Sequence, residues 1–373
     1  MTPAMSSRFQ RYLLPGFAFK AFIIGGGYAT GRELAEFFLP SGPRGGLLGM
    51  AFAACLWSVI CIVTFLLARA SRSLDYQSFF RTLLGPGWVV FELAYLLLIV
   101  LVLAVFGAAA GEIGQRLFDW PRVAGTLCLG VAIASIVAYG NVSVERLFKW
   151  VTIFLYGVYA LFLVLALSSF GDRIAAAFGL DVPHGEWVRA GITYAGYNVV
   201  GAVVILPVLR HLQSDRDAVV AGALCGPLAM LPAVLFFVSM AAYYPQVGAE
   251  PLPSDYLLQR MNHPLFHLLF QLMMFTALLE SGAGGVHAVN ERIAHAWRVR
   301  FRSPYPRRAR LSFAVVLLVV AMFLADRFGL VTLIARGYRA LAYVIIGVYV
   351  LPLLTVGAWK LLRGHLDPVE RAA

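Results

Sequence analysis

Apolar runs of about 18 residues or more recur along this chain, and that recurrence constrains it more than any other feature. About 20 residues at 1.5 Å each carry a helix across the hydrocarbon core of a bilayer. Lipid offers no partner to backbone amides, so a spanning segment must be a helix or part of a closed barrel. Ten helical spans are read at about 12–39, 45–68, 87–113, 121–140, 146–170, 188–210, 217–244, 264–290, 309–326 and 330–362. Spans and short loops consume the whole chain, which is expected to form one transmembrane domain over 1–373. Charged residues make up 13%, about half the share usual in soluble domains.

The four cysteines, Cys55, Cys61, Cys128 and Cys225, lie inside apolar segments and form no Cys-x-x-Cys pair, so neither a disulfide framework nor a zinc site is indicated. The first ten residues lack the apolar core and small-residue site of a cleaved signal peptide. With ten spans both termini share a side. Placing them inside puts nineteen Lys and Arg in the inner segments, including Arg8, Arg11, Arg69, Arg146, Lys149 and Arg371, against seven in the outer ones. The positive-inside rule then makes both ends cytoplasmic. The basic run Arg298 to Arg310 between spans 8 and 9 reads as a topology determinant near anionic lipid rather than a nucleic-acid patch.

Span 1 is interrupted by Gly25-Gly26-Gly27-Tyr28-Ala29-Thr30-Gly31-Arg32-Glu33. Three adjacent glycines cost a helix about 0.8–1.0 kcal/mol each relative to alanine. Helix, break and helix within one crossing is a way transporters build a site at the bilayer midplane; a glycine packing face against a neighbouring helix is the alternative. Span 6 repeats the feature in Thr193-Tyr194-Ala195-Gly196-Tyr197-Asn198-Val199-Val200-Gly201. Five spans separate the two, so they occupy corresponding positions in opposite orientations, the pointer to an inverted repeat with a central site. The repeats would run over about 12–170 and 188–362.

The span 1 signature Gly-Gly-Gly-Tyr-Ala-Thr-Gly-Arg-Glu resembles that of the YkvI-like bacterial membrane proteins, as do Tyr194-x-x-Tyr197-Asn198, Phe328-Gly329-Leu330 and Ile334-Ala335-Arg336-Gly337-Tyr338. The resemblance covers essentially the whole chain. It implies the amino acid/polyamine/organocation superfamily and an all-α, ten-helix, five-plus-five inverted repeat, the LeuT fold, with helices 1 and 6 broken. Arg32 stands where that family often has Gln, which leaves charge selectivity open.

On this reading the substrate is held by Gly25, Gly26, Gly27, Tyr28, Thr30, Phe106, Tyr194, Tyr197 and Asn198. Amides exposed at the break, with the positive helix end, favour a carboxylate, and freed carbonyls before it favour a cation or ammonium. A zwitterionic amino acid matches both, as does a small carboxylate accompanied by an ion. The tyrosines also admit an interfacial or packing role.

Ionisable residues inside a membrane mark function by default, at about 2.5–3.5 kcal/mol of insertion cost. Lys20 and Glu280 sit about 13 Å and about 18 Å from the inner boundary, counted from Arg11 and Arg292. The resemblance makes spans 1 and 8 neighbours framing a sodium site. Lys20 and Glu280 are therefore expected to approach one another, with Ser281 as a further ligand and the ammonium replacing sodium. That favours proton coupling, exchange or facilitated diffusion over sodium symport. The alternative is a Lys20 that snorkels to the interface and a Glu280 facing an aqueous vestibule. His287 is a candidate proton carrier or a structural histidine. Arg32, Glu33 and Glu36 fit an outer gate or an intrahelical ion pair. Lys149 reads as too shallow for coupling.

A secondary transporter of a small organic solute, working among membrane lipid without a cofactor, leads. No Gly-x-x-x-x-Gly-Lys-Ser/Thr, His-Glu-x-x-His or Gly-x-Ser-x-Gly pattern occurs, so ATP-driven pumping and membrane enzymology trail. A transporter-fold sensor that signals without flux is the other class. Substrate identity, direction and oligomeric state are not encoded legibly.

Overall fold

The computed structural model describes residues 7–139 and 141–363; side-chain surroundings are described except at 26–27, 139, 141–152, 295 and 299. Arg146, Lys149 and Arg371 therefore lie outside the described side chains, as do the surroundings of Gly26 and Gly27. No strand occurs among the described residues.

Among the described residues six helical stretches are long and apolar enough to cross a bilayer: Arg32–Ala70, Tyr76–Phe118, Ile153–Gly179, Asp215–Ala241, Pro264–Arg298 and Arg307–Arg363. The last has 57 residues, about 85 Å of helix and so two crossings. It divides at Gly329, where φ is 71° and ψ 165°. Adding the shorter apolar helix Arg122–Ala138 and the two interrupted spans gives ten crossings.

The helices are Gly42–Ala70 for span 2, Trp88–Phe118 for span 3, Arg122–Tyr139 for span 4, Asn141–Gly179 for span 5, Asp215–Ala241 for span 7 and Pro264–Phe301 for span 8. Two shorter helices lie outside the spans, Tyr76–Leu84 after span 2 and Pro253–Met261 after span 7. They occupy corresponding places five spans apart, as the two interruptions do. An even number of crossings brings Ser7 and Arg363 to one face, here the terminal face.

Packing repeats the same symmetry. Span 2 lies along span 7; span 1 packs on span 7 and span 6 on span 2; span 3 packs on span 9 and span 8 on span 4; span 5 packs on span 8 and span 10 on span 3. Small residues permit the central crossing: a Cβ added at Gly226 would fall 2.0 Å from the Ala54 carbonyl oxygen. Close backbone approach replaces the hydrophobic drive that lipid does not supply.

Candidate functional site

The first helical piece, Leu14–Ile23, ends at Ile24, whose ψ of 76° turns the chain out of the helix. One turn, Gly26–Ala29, follows, and the chain re-enters a helix at Arg32–Phe37. The connection requires Gly31. Its φ is +75°, and a Cβ there would sit 2.4 Å from Cε1 of Phe236. The Thr30 hydroxyl accepts the Arg32 amide at 3.2 Å, and its carbonyl accepts the Ser254 amide at 3.1 Å. Span 6 loosens less. Helix Trp187–Asn198 is followed by Val199 and Val200, one turn Gly201–Val204 and a 3-10 stretch Leu206–His211.

Between the two interruptions lies a cavity of about 290 Å³. Its polar wall comes from Gly25, Tyr28, Glu33, Tyr197, Asn198, Ser281 and Tyr338. Phe22, Ile99, Val102 and Phe106 supply the apolar wall. Ser281 of span 8 comes close to the break, its Oγ 3.1 Å from where a Gly25 Cβ would be. The Asn198 amide nitrogen donates to the Tyr194 carbonyl at 3.1 Å, which leaves its oxygen as the acceptor available to a ligand. The lining runs from Phe106 down span 3 to Tyr95 and down span 8 to Ala288. Eleven helical residues separate Phe106 from Tyr95, about 16 Å, directed at the terminal face.

Glu33 is the residue the sequence reading misplaced. Expected at a gate or in an intrahelical pair, it lines the cavity at 8% exposure, with Oε2 accepting the Tyr197 hydroxyl at 2.5 Å. Its neighbour Arg32 turns the other way. Arg32 donates to the carbonyls of Gly248 and Glu250 at 2.7 and 2.9 Å and pairs with Glu36 at 2.6 Å. Tyr338 of span 10, also outside the expected set, lies against Tyr197 with ring centroids 4.6 Å apart and the rings tilted by 32°.

Of the expected substrate residues, Gly25, Tyr28, Phe106, Tyr197 and Asn198 line the cavity, with Ser281 from the expected coupling set. Thr30 is wholly buried and caps the turn. Tyr194 is wholly buried behind the wall, packed against Phe37, Phe38, Trp57 and Tyr197, with its hydroxyl unpaired. Lys20 and Glu280 share Tyr156 of span 5 as a neighbour. The Lys20 ammonium lies 4.7 Å over the Tyr156 ring, and the Glu280 carboxylate acts electrostatically on the Tyr156 hydroxyl.

The face opposite the termini carries a cover. A turn at Gln246–Ala249 and helix Pro253–Met261 form a lid, latched to span 1 by Arg32 and by the Ser254 amide. Buried Asp255 ties the lid to the scaffold, accepting from Arg116 of span 3 at 3.2 Å and from Gln271 of span 8 at 2.5 Å, and contacting His267 at 2.6 Å. A second pocket of about 300 Å³ on that face is lined by Glu36, Phe37, Arg189 and Arg339. The Phe37 ring, 5.9 Å from that of Tyr197, is the partition between this pocket and the central cavity. At the terminal face Arg11 holds Asp217 of span 7 with two hydrogen bonds of 2.9 and 2.7 Å.

No family model matches the chain. The uncharacterized membrane protein YkvI of Bacillus subtilis (strain 168) is 22% identical over 334 residues, which cover 88% of this chain and 91% of that one. Among solved structures, MhsT in complex with L-phenylalanine aligns over 97% of this chain and 99% of its own at 17% identity and a TM-score of 0.58. A Na+-coupled sialic acid symporter in a substrate-bound outward-open state aligns over 94% and 82% at 11% identity and a TM-score of 0.62. Mhp1, a nucleobase-cation-symport-1 family transporter in a closed conformation, aligns over 98% and 82% at 14% identity and a TM-score of 0.56. At these identities the likeness to solved structures is one of fold. The chain is a homologue of the membrane protein YkvI, built on the LeuT-type fold with its first and sixth helices interrupted.

Proposed function

We propose that the chain is a secondary transporter of a small organic solute, an amino acid or related zwitterion or carboxylate, of the amino acid/polyamine/organocation superfamily. The observation that carries the reading is the cavity between the two interruptions, lined by Gly25, Tyr28, Phe106, Tyr197 and Asn198, with a lining that runs toward the terminal face. Spans 1, 2, 6 and 7 would move as a bundle against spans 3, 4, 8 and 9, exposing the cavity to each face in turn. The conformation described is the one facing the termini. With those termini cytoplasmic, as the charge asymmetry supports, it is the inward-facing state in a bacterial inner membrane.

Coupling to sodium is not part of the proposal. Lys20, on span 1 over the Tyr156 ring of span 5, brings a cation to the junction of spans 1 and 5, where an entering sodium ion would be repelled. Proton coupling, exchange and facilitated diffusion remain as modes. A sensor of the same fold would bind solute without flux, and a membrane enzyme would release product. Purified protein screened by thermal shift against amino acids, amines and carboxylates, with and without sodium, identifies a ligand through the stability it adds. Uptake of that ligand into proteoliposomes, independent of sodium, is the expected result. Binding without uptake makes the protein a sensor, and a sodium-dependent shift removes the role given to Lys20.

A further inference from the structure

We infer that the central cavity selects an organic ammonium, with Glu33 as its charge partner and tyrosine rings as its cage. The inference rests on the transport-site reading of that cavity and narrows its substrate class. No Lys, Arg or His lines the cavity among the described residues, and Glu33 is its one carboxylate. The nearest cations are committed elsewhere. Arg32 is held by the lid carbonyls and Glu36, Lys20 lies over Tyr156, and Arg292 at the mouth stacks on Tyr95 and pairs with Glu92 at 3.4 Å.

The carboxylate is left half satisfied. Tyr197 donates to Oε2, and Oε1 takes no donor among the described residues. Tyr28, Tyr197 and Tyr338 line the same cavity. An ammonium placed there gains both the ion pair and the negative ring faces, an attraction that strengthens as water is excluded. The opposite wall adds to the same sign. Ala21, Phe22 and Ile23 bring the carbonyl end of helix Leu14–Ile23 to the cavity, and that end of a helix favours cations.

Provision for an anion is weaker than the break suggests. Three amides that would cradle a carboxylate are already bonded: Tyr28 to the Gly25 carbonyl, Gly31 to the Tyr28 carbonyl and Arg32 to the Thr30 hydroxyl. The helix that starts at Arg32 has only six residues. Phe22, Ile99, Val102 and Phe106 leave room for an apolar body, and about 290 Å³ is at the small end of ligand sites. The fitting substrate is a small, apolar amine or ammonium compound, with or without a carboxylate of its own.

The test uses the purified full-length chain and matched probes: phenethylamine, propylamine and choline against the alcohols and carboxylates of the same skeletons, with L-phenylalanine alongside. Thermal shift and calorimetry are expected to show binding by ammonium probes and none by the neutral or anionic partners. Glu33→Gln should weaken ammonium binding about ten-fold or more, as loss of a charge-assisted contact in a dry site does. Glu33→Asp, which keeps the charge, should recover part of it. The wild-type probe series stands alone if Glu33→Gln does not fold. Carboxylates binding as well as amines, amine binding changed by less than about two-fold in Glu33→Gln, or no ammonium probe binding at all would each overturn the assignment. Proteoliposome uptake separates the two levels. Glu33-dependent binding without uptake keeps the ammonium site and removes transport. Uptake of an anion unaffected by Glu33→Gln keeps transport and removes the ammonium site.

Discussion

Gly31→Ala is expected to be among the most damaging single-methyl additions to this chain, for two separable reasons. At φ +75° an L side chain meets its own backbone, at a cost of about 1–2 kcal/mol. The added Cβ also falls 2.4 Å from Cε1 and 2.9 Å from Cζ of Phe236. That ring cannot simply retreat, being stacked on Tyr159 and Phe162 with centroids 5.9 and 5.2 Å away. Overpacking of this kind costs about 1–3 kcal/mol, so the two terms together predict about 2–5 kcal/mol. Leucine at 236 lacks the two clashing ring atoms. In a double-mutant cycle followed by thermal melting in detergent, Phe236→Leu should recover the overpacking part of the loss and leave the backbone part. A Gly31→Ala chain as stable as the parent would refute the left-handed turn. Fully additive effects of the two substitutions would refute the contact.

Two further outcomes follow from ion pairs at the two faces. Arg11→Ala leaves the Asp217 carboxylate with the Gln213 amide as its remaining donor and should lower the melting temperature, with Asp217→Asn in the same chain restoring much of the loss; melting temperatures of the three variants decide it. Arg32→Gln removes the Glu36 ion pair and weakens the hold on the Gly248 and Glu250 carbonyls, so protease added to the face opposite the termini should cut the lid at 246–261 faster. A lid no more sensitive than the parent's would mean that Arg32 is not its latch.

The spans were legible because each carries a run long enough to cross lipid; most observed helix ends fall within a few residues of the expected bounds, while the helices of spans 5 and 8 run on to Gly179 and Phe301, nine and eleven residues past the expected ends. The division at Gly329 was legible for the same reason. The interruption in span 1 was legible because three glycines cannot be explained by helix propensity. What lay beyond reading was direction after the break. Helical periodicity predicts which residues share a face only while the helix continues, and one left-handed residue at Gly31 resets the count. Arg32 and Glu33 consequently face opposite ways, the arginine to the lid and the carboxylate to the cavity. The placement of Tyr194 was beyond reading for a related reason. Three residues before Tyr197 it lies nearly on the same helical face, and packing of Phe37, Phe38 and Trp57 decides that it sits behind the wall. Tyr338 carried a signal, since it closes the span 10 signature, but nothing in sequence tells that span 10 reaches the site. The lid helix Pro253–Met261 is short and partly polar, so no hydropathy window announces it.

The central claim is one cavity exposed to one face at a time, and paired cysteine labelling tests it most directly. In a chain with its four native cysteines replaced, Val204→Cys reports the mouth toward the termini, where Val204 is 39% exposed. Phe37→Cys reports the partition beneath the lid, where Phe37 is 4% exposed. An impermeant thiol reagent applied from each face should modify position 204 and spare position 37 in the resting protein. Any solute or condition that slows the first should speed the second. Both positions reacting together, or either changing while the other stays constant, would contradict alternating access.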